Sequence, residues 1–218
     1  MPRRDHRGDP GGCPGHLLTV AGDLQAAAVQ LAEPAGEEAE VLRDPRDEAT
    51  DIGPNITREH LARVDGFVQR AVTAGARLLL GGAVNPALGG LYYQPTLLTG
   101  AEPGSEILTE EVFGPVLTIQ TFVGEDEAVA LANSTRYGLA ATVFTGDTGR
   151  AERVSARLRA GTVWVNCFFI RDLRAPFGGT GLSGIGREGG TWSFDFYADV
   201  KNIVYAGQGW QAVGERRG

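Results

Sequence analysis

Cysteine thiolates are the strongest nucleophiles this sequence can offer, beside 27 carboxylates and three histidines able to act as acids and bases. Its two cysteines, Cys13 and Cys167, are the candidates for thiolate chemistry, which requires an accessible, electropositive setting. Cys167 follows an apolar, β-branched run at 161–166 (GTVWVN) and reads as a core thiol. Cys13 sits in PGGCPG near the N-terminus, where it is either a nucleophile or an inert thiol. His6, His16 and His60 lack metal-ligand spacing with the cysteines, so no metal site is expected. Glu110 and Glu111 stand just before an apolar run, at the kind of loop end where parallel-sheet proteins collect binding residues. A solvated acidic turn is the other reading of that pair. Arg171 and Arg174 flank Asp172 after a second such run. Arginines there either capture a substrate carboxylate through paired N–H donors or form structural ion pairs with Asp172 or Glu188.

Those arginines open the stretch that organises the chain, 171–190 (RDLRAPFGGTGLSGIGREGG). Gly179-x-Gly181-x-x-Gly184 and Gly184-x-Gly186-x-x-Gly189 both match the dinucleotide fingerprint as bare patterns. That fingerprint works only when a strand ends on it and a helix begins on it, so that the pyrophosphate meets helix N–H groups. Here Ala175-Pro176-Phe177 intervenes and the preceding strand ends too early. The expectation is therefore a loop whose glycines allow turns and close backbone approach, not a phosphate cradle.

Elements must position these groups. Residues 17–20 suit a short strand, and 23–32 a helix with Asp23 at its N-cap. A second helix starts behind Thr57, with Leu61, Val64, Phe67, Val68, Ala71 and Val72 on one face and Gly75 as its stop. Strands are expected at 77–80, 91–98 (Pro95 at its edge), in the β-rich run that ends at Phe122, at 138–145 and at 161–166, with a last strand-like run at 202–206. Helices fall at 125–133 and 148–158. Strand–helix–strand alternation with non-alternating apolar strands predicts an α/β fold with a parallel sheet and helical crossovers.

Composition sets bounds. With 42% hydrophobic and 22% charged residues in 218, the chain suits one large or two small folded domains. A net charge of −7 speaks against nucleic-acid or anionic-membrane surfaces as partners. Two cysteines make no disulfide framework, the first residues lack a signal-peptide apolar region, and no apolar run approaches a membrane span. The expected setting is cytoplasmic, with a small molecule as partner.

Over 44–206 the chain resembles the C-terminal, catalytic half of NAD(P)-dependent aldehyde dehydrogenases. The motifs that carry this are DPRDEATDIGP followed by TREH, GARLLLGG, YYQPTLL, EEVFGPVL, ANSTRYGLAATVFT, AGTVWVN and PFGGTGLSGIGREGG. FFIRDLRAPFGG and REGGTWSFDFYADVKN look most like the branch acting on hydroxymuconic semialdehydes of aromatic catabolism, including the 5-carboxymethyl form. Residues 1–43 read as a divergent leader and connector, and 207–218 as a loose tail. The resemblance implies oxidation of an aldehyde by a cysteine thiolate, with hydride passing to NAD and the thioester then hydrolysed. It gives Glu111 to the nicotinamide ribose and Phe113 to packing near the cofactor. Asn166 and Phe177 would shape the site, while Arg171 and Arg174 line the aldehyde tunnel and would hold a distal carboxylate. Cys13 lies 31 positions before Asp44, about where the family carries its nucleophile, although PGGCPG departs from the family's Gly-Gln-x-Cys context. The family's Rossmann-like cofactor domain, oxyanion asparagine and glutamate base have no counterpart in the matched stretch. Two readings follow: an aldehyde-oxidising enzyme, or a truncated, inactive remnant that keeps the fold and an oligomerisation strand near 201–205.

Overall fold

The computed structural model describes residues 18–19, 42, 44–48, 50–85 and 87–210. The helix expected at 23–32 and the candidate nucleophile Cys13 lie outside them. Among the described residues six strands, β1 (Leu18–Thr19), β2 (Arg77–Leu80), β3 (Thr96–Thr99), β4 (Val116–Ile119), β5 (Ala140–Val143) and β6 (Thr162–Val165), form two sheets. Their orders are β1-β5-β6 and β2-β3-β4. Among the described residues five helices accompany them: α1 (Arg58–Thr73), α2 (Glu106–Thr109), α3 (Glu125–Ala132), α4 (Thr148–Arg157) and α5 (Trp192–Tyr197).

The expected α/β architecture with parallel pairing is present. β3 and β4 pair in parallel across α2, and β5 and β6 in parallel across α4, since parallel neighbours need a crossover rather than a hairpin. Each sheet also has one antiparallel strand, β2 against β3 and β1 against β5.

α1 forms as its sequence dictates. Thr57 is extended (φ −141°) and its hydroxyl accepts the His60 N–H at 3.1 Å, capping one of the orphan donors of the first turn. At the other end Gly75 takes φ 103°. The Gly75 and Ala76 N–H groups then return to the Val72 and Ala71 carbonyls at 3.0 and 2.9 Å, a Schellman closure. Leu61, Val64, Phe67, Val68 and Ala71 are buried, while Val72 at the stripe's edge is half-exposed. They pack with Tyr93, Leu98, Ile107 and Val116 in one core. The Tyr93 hydroxyl, inside that core, donates to Asp65 Oδ1 at 3.0 Å. Burial, then that carboxylate, pushes its pKa up. A second core joins Val129 of α3, Ala141 and Val143 of β5, Val154 of α4 and Leu158.

Two expected strands differ. The run at 91–98 becomes a strand only at Thr96–Thr99, while Tyr93 makes an isolated bridge to Val84. Pro95 explains the break, because it cannot donate to a ladder. The run at 202–206 is in no regular element and has no ladder partner among the described residues, and Val204 and Tyr205 are 80% and 87% exposed. Its apolar pattern is that of a strand, and no neighbouring edge among those residues takes it. No helix among the described residues is long and apolar enough to cross a membrane.

Candidate functional site

Two loops carry the candidate residues, and each is fixed by main-chain contacts. The first runs from the end of α2 into β4. Its three successive carbonyls, of Glu111, Val112 and Phe113, are all bound by α1. Arg63 Nη2 donates to Glu111 O at 2.7 Å and Nη1 to Val112 O at 2.6 Å. His60 Nε2 donates to Phe113 O at 2.5 Å. Phe113 has φ 54°, unusual for a side chain of its size. Gly114 follows, with room for no side chain, since a Cβ would lie 2.7 Å from both Val64 methyls. With its carbonyls turned to the helix, the loop leaves Glu111 and Phe113 exposed, Phe113 to 61%.

Neighbouring Glu110 does a structural job. It pairs with Arg136 at 2.8 Å and accepts from the Tyr137 hydroxyl at 3.4 Å. Burial, followed by the charges of Glu110 and Glu111, raises the Tyr137 pKa.

The second loop begins where β6 ends. Asn166 (φ 53°) accepts the Thr145 N–H at 2.8 Å through Oδ1 and donates Nδ2 to Thr145 O at 2.9 Å. Its amide thus ties the end of β5 to the end of β6. Cys167, next in sequence, is a half-buried free thiol, less enclosed than a core cysteine. Trp164 is buried and donates Nε1 to Ile170 O at 2.9 Å, bending the chain over its indole. Phe168 meets the indole edge-on at 5.5 Å between centroids, and Phe169 lies tilted to it at 6.1 Å.

Arg171 lies 4.0 Å above the Phe177 ring and donates to Glu188 Oε1 at 2.9 Å. Phe177 and Glu188 exchange both main-chain hydrogen bonds at 2.8 Å, so ring, guanidinium and carboxylate form one cluster. Arg174 is held separately. Its Nη2 and Nε reach Asp172 Oδ2 and Oδ1 at 2.6 and 2.9 Å, and this contact lowers the Asp172 pKa. Both structural ion pairs that the sequence allowed are therefore formed.

The glycines between these groups serve close approach. A Cβ on Gly161 would lie 1.6 Å from Gly178 O, and one on Gly181 (φ 60°) 2.3 Å from Arg136 O. Gly181–Ser183 is a single 3₁₀ turn, not the start of an α-helix that a phosphate loop needs. Leu182 N–H donates to Arg136 O at 3.0 Å, and Gly138 N–H to Ser183 Oγ at 3.0 Å. Through Arg136, which also holds Glu110, the glycine loop is tied to the loop of Glu111 and Phe113.

The structure thus groups Glu111 with Phe113, and Arg171 with Phe177; Asn166 braces the second loop at its root, and Arg174 stands apart on Asp172. His60 and Arg63 were missed from sequence. Their spacing of three residues on a helix, which puts both on one exposed face, was the available signal.

Comparison with known proteins gives a consistent result. Residues 17–203 match the aldehyde dehydrogenase family. The 2-hydroxymuconic semialdehyde dehydrogenase of Pseudomonas sp. (strain CF600) is 50% identical over 173 residues, 78% of this chain and 36% of that protein. The betaine aldehyde dehydrogenase of Cereibacter sphaeroides (strain ATCC 17029 / ATH 2.4.9) is 42% identical over 195 residues, 88% of this chain and 39% of that one. The crystal structure of an NAD-dependent aldehyde dehydrogenase from Sinorhizobium meliloti superposes with a TM-score of 0.76 at 40% identity, covering 82% of this chain and 35% of that chain. This chain spans just over a third of the length of these relatives.

Proposed function

The chain belongs to the aldehyde dehydrogenase family, and we propose that it serves the NAD-dependent oxidation of a carboxylated, muconic-type semialdehyde to the acid. The observation that carries the substrate class is the Arg171 cluster. A guanidinium stacked on Phe177 and steadied by Glu188 keeps a fixed plane, and its fork of five N–H donors matches a carboxylate. Similarity to a 2-hydroxymuconic semialdehyde dehydrogenase supports the same choice.

The residues present suit the cofactor. The exposed Glu111 carries the carboxylate acceptor that ribose hydroxyls require, and the exposed Phe113 beside it offers an apolar face. NAD supplies the hydride acceptor when bound. Cys13 is the proposed nucleophile, Asn166 and Phe177 shape the site, and Arg174 is a second carboxylate ligand once released from Asp172. The setting proposed is cytoplasmic, and the exposed 201–205 segment is proposed to join copies of the chain by edge pairing.

A second reading has its own support. Phe168 and Phe169 hold two exposed rings against the buried Trp164, exposed aromatic faces take a quaternary ammonium, and the relatives include betaine aldehyde dehydrogenases. The two readings demand substrates of opposite charge. NAD reduction by the purified chain is measured with a muconic-type semialdehyde, a neutral aldehyde and betaine aldehyde. The acidic substrate is expected to turn over best, Cys13→Ala to abolish turnover, and Arg171→Gln to raise KM for the acidic aldehyde far more than for the neutral one. Equal KM effects remove the carboxylate role, and preference for betaine aldehyde selects the aromatic surface. No NAD isotherm and no turnover establish the inactive remnant.

A further inference from the structure

We propose that His60 and Arg63 are positioning residues that hold the Glu111–Phe113 segment in its left-handed turn and thereby aim both side chains at the cofactor; this rests on the cofactor role given to Glu111 and Phe113 above. Three consecutive main-chain acceptors are bound by two side chains one helical turn apart. Arg63 is held in register from below, its guanidinium 4.8 Å from the Phe67 ring centroid. The pattern is not that of a core contact. A phenylalanine at φ 54° carries backbone strain, which packing of its ring normally offsets, yet this residue is 61% exposed. What holds the turn is the hydrogen bonding of its carbonyls, with Gly114 pressed against Val64 behind it. A turn fixed from the helix side and open on the other delivers a carboxylate and an aromatic face with little conformational entropy left to lose on binding.

The geometry also separates the two donors. Arg63 uses a fork across two carbonyls, which a lysine cannot span. His60 uses a single ring N–H, which a glutamine amide of similar reach can replace.

The test uses the full chain with ¹⁵N relaxation and NAD titration calorimetry. In the wild type the amides of residues 111–113 are expected to show order parameters near about 0.85, falling below about 0.6 in Arg63→Ala and His60→Ala. Amides of Leu61 and Val64 should be unchanged, which a general loss of structure would not produce. His60→Gln is expected to restore order, and Arg63→Lys to restore it only in part. Affinity for NAD should weaken about tenfold in each alanine variant and recover with His60→Gln. Unchanged loop order in the alanine variants overturns the proposal, as does a His60→Gln loop as loose as His60→Ala. A loosened loop with unaltered NAD affinity overturns the link to the cofactor. A wild type that binds no NAD removes the cofactor role of Glu111 and Phe113 instead, and the relaxation data still decide whether the clamp holds the turn.

Discussion

Replacing Gly161 with alanine is expected to be among the most damaging single-methyl additions in the chain. An ideal Cβ there falls 1.6 Å from Gly178 O and 2.8 Å from Gly178 C. Real Cβ atoms keep at least about 3.0 Å from such neighbours, so the two strands of backbone must part by roughly 1.4 Å. No rotamer can relieve a clash between main-chain atoms. Moving residue 161 strains its N–H bond to Gly138 O (3.0 Å), and moving the glycine loop strains the Thr180 N–H bond to the same carbonyl (2.9 Å). Overpacking of a rigid site costs about 1–3 kcal/mol, and a weakened main-chain bond about 1 kcal/mol. The sum is about 3 kcal/mol, or a fall of about 6–12 °C in Tm for a chain of this size. Gly146→Ala is the control, because its φ lies outside the left-handed region and a Cβ there meets nothing within 4 Å; it should stay within about 0.5 kcal/mol of wild type. Urea unfolding followed by indole fluorescence gives both values. If Gly161→Ala also stays within about 0.5 kcal/mol of wild type, the glycines of the 171–190 stretch are not there for close packing, and the account of that loop fails.

Two further outcomes follow from the elements themselves. Thr57→Ala removes the hydroxyl that accepts the His60 N–H and should cost about 1 kcal/mol, read as a lower urea midpoint with an unchanged slope. Glu125, held by Arg153 first and then Arg150, has its pKa lowered from 4.5 to about 2. A lowered folded-state pKa means that its stabilisation is complete above 4.5 and disappears as pH falls through about 2. The Tm gap between wild type and Glu125→Gln should therefore be constant near neutral pH and close progressively below 4.5; a gap that widens in acid contradicts the assignment.

How much of this was legible in the sequence depends on what each feature rests on. α1 was readable almost to the residue, because cap, apolar stripe and glycine stop are local signals that agree. The parallel pairs followed from alternation of element types, but the antiparallel edges β1 and β2 did not, since edge direction is settled by tertiary contacts. The order of the glycine loop's clashes was visible only as a surplus of glycine. Arg171 and Arg174 were visible as a choice between substrate and salt bridge. The ion pairs found at Glu188 and Asp172 decide the resting partners, not the bound ones. The carbonyl clamp left one faint mark, the three-residue spacing of His60 and Arg63 on one helix face, and that spacing does not name its main-chain acceptors.

The two cores share no buried residue. Glu111 and Phe113 therefore stand beside one core, and Arg171 and Phe177 on the flank of the other, with Arg136 bonded to Glu110 on one side and to the Leu182 N–H on the other. Native-state opening of such a seam takes less free energy than unfolding either core. On the function proposed above, a dinucleotide and an aldehyde bound across it would act as a brace, raising the stability of the whole through mass action.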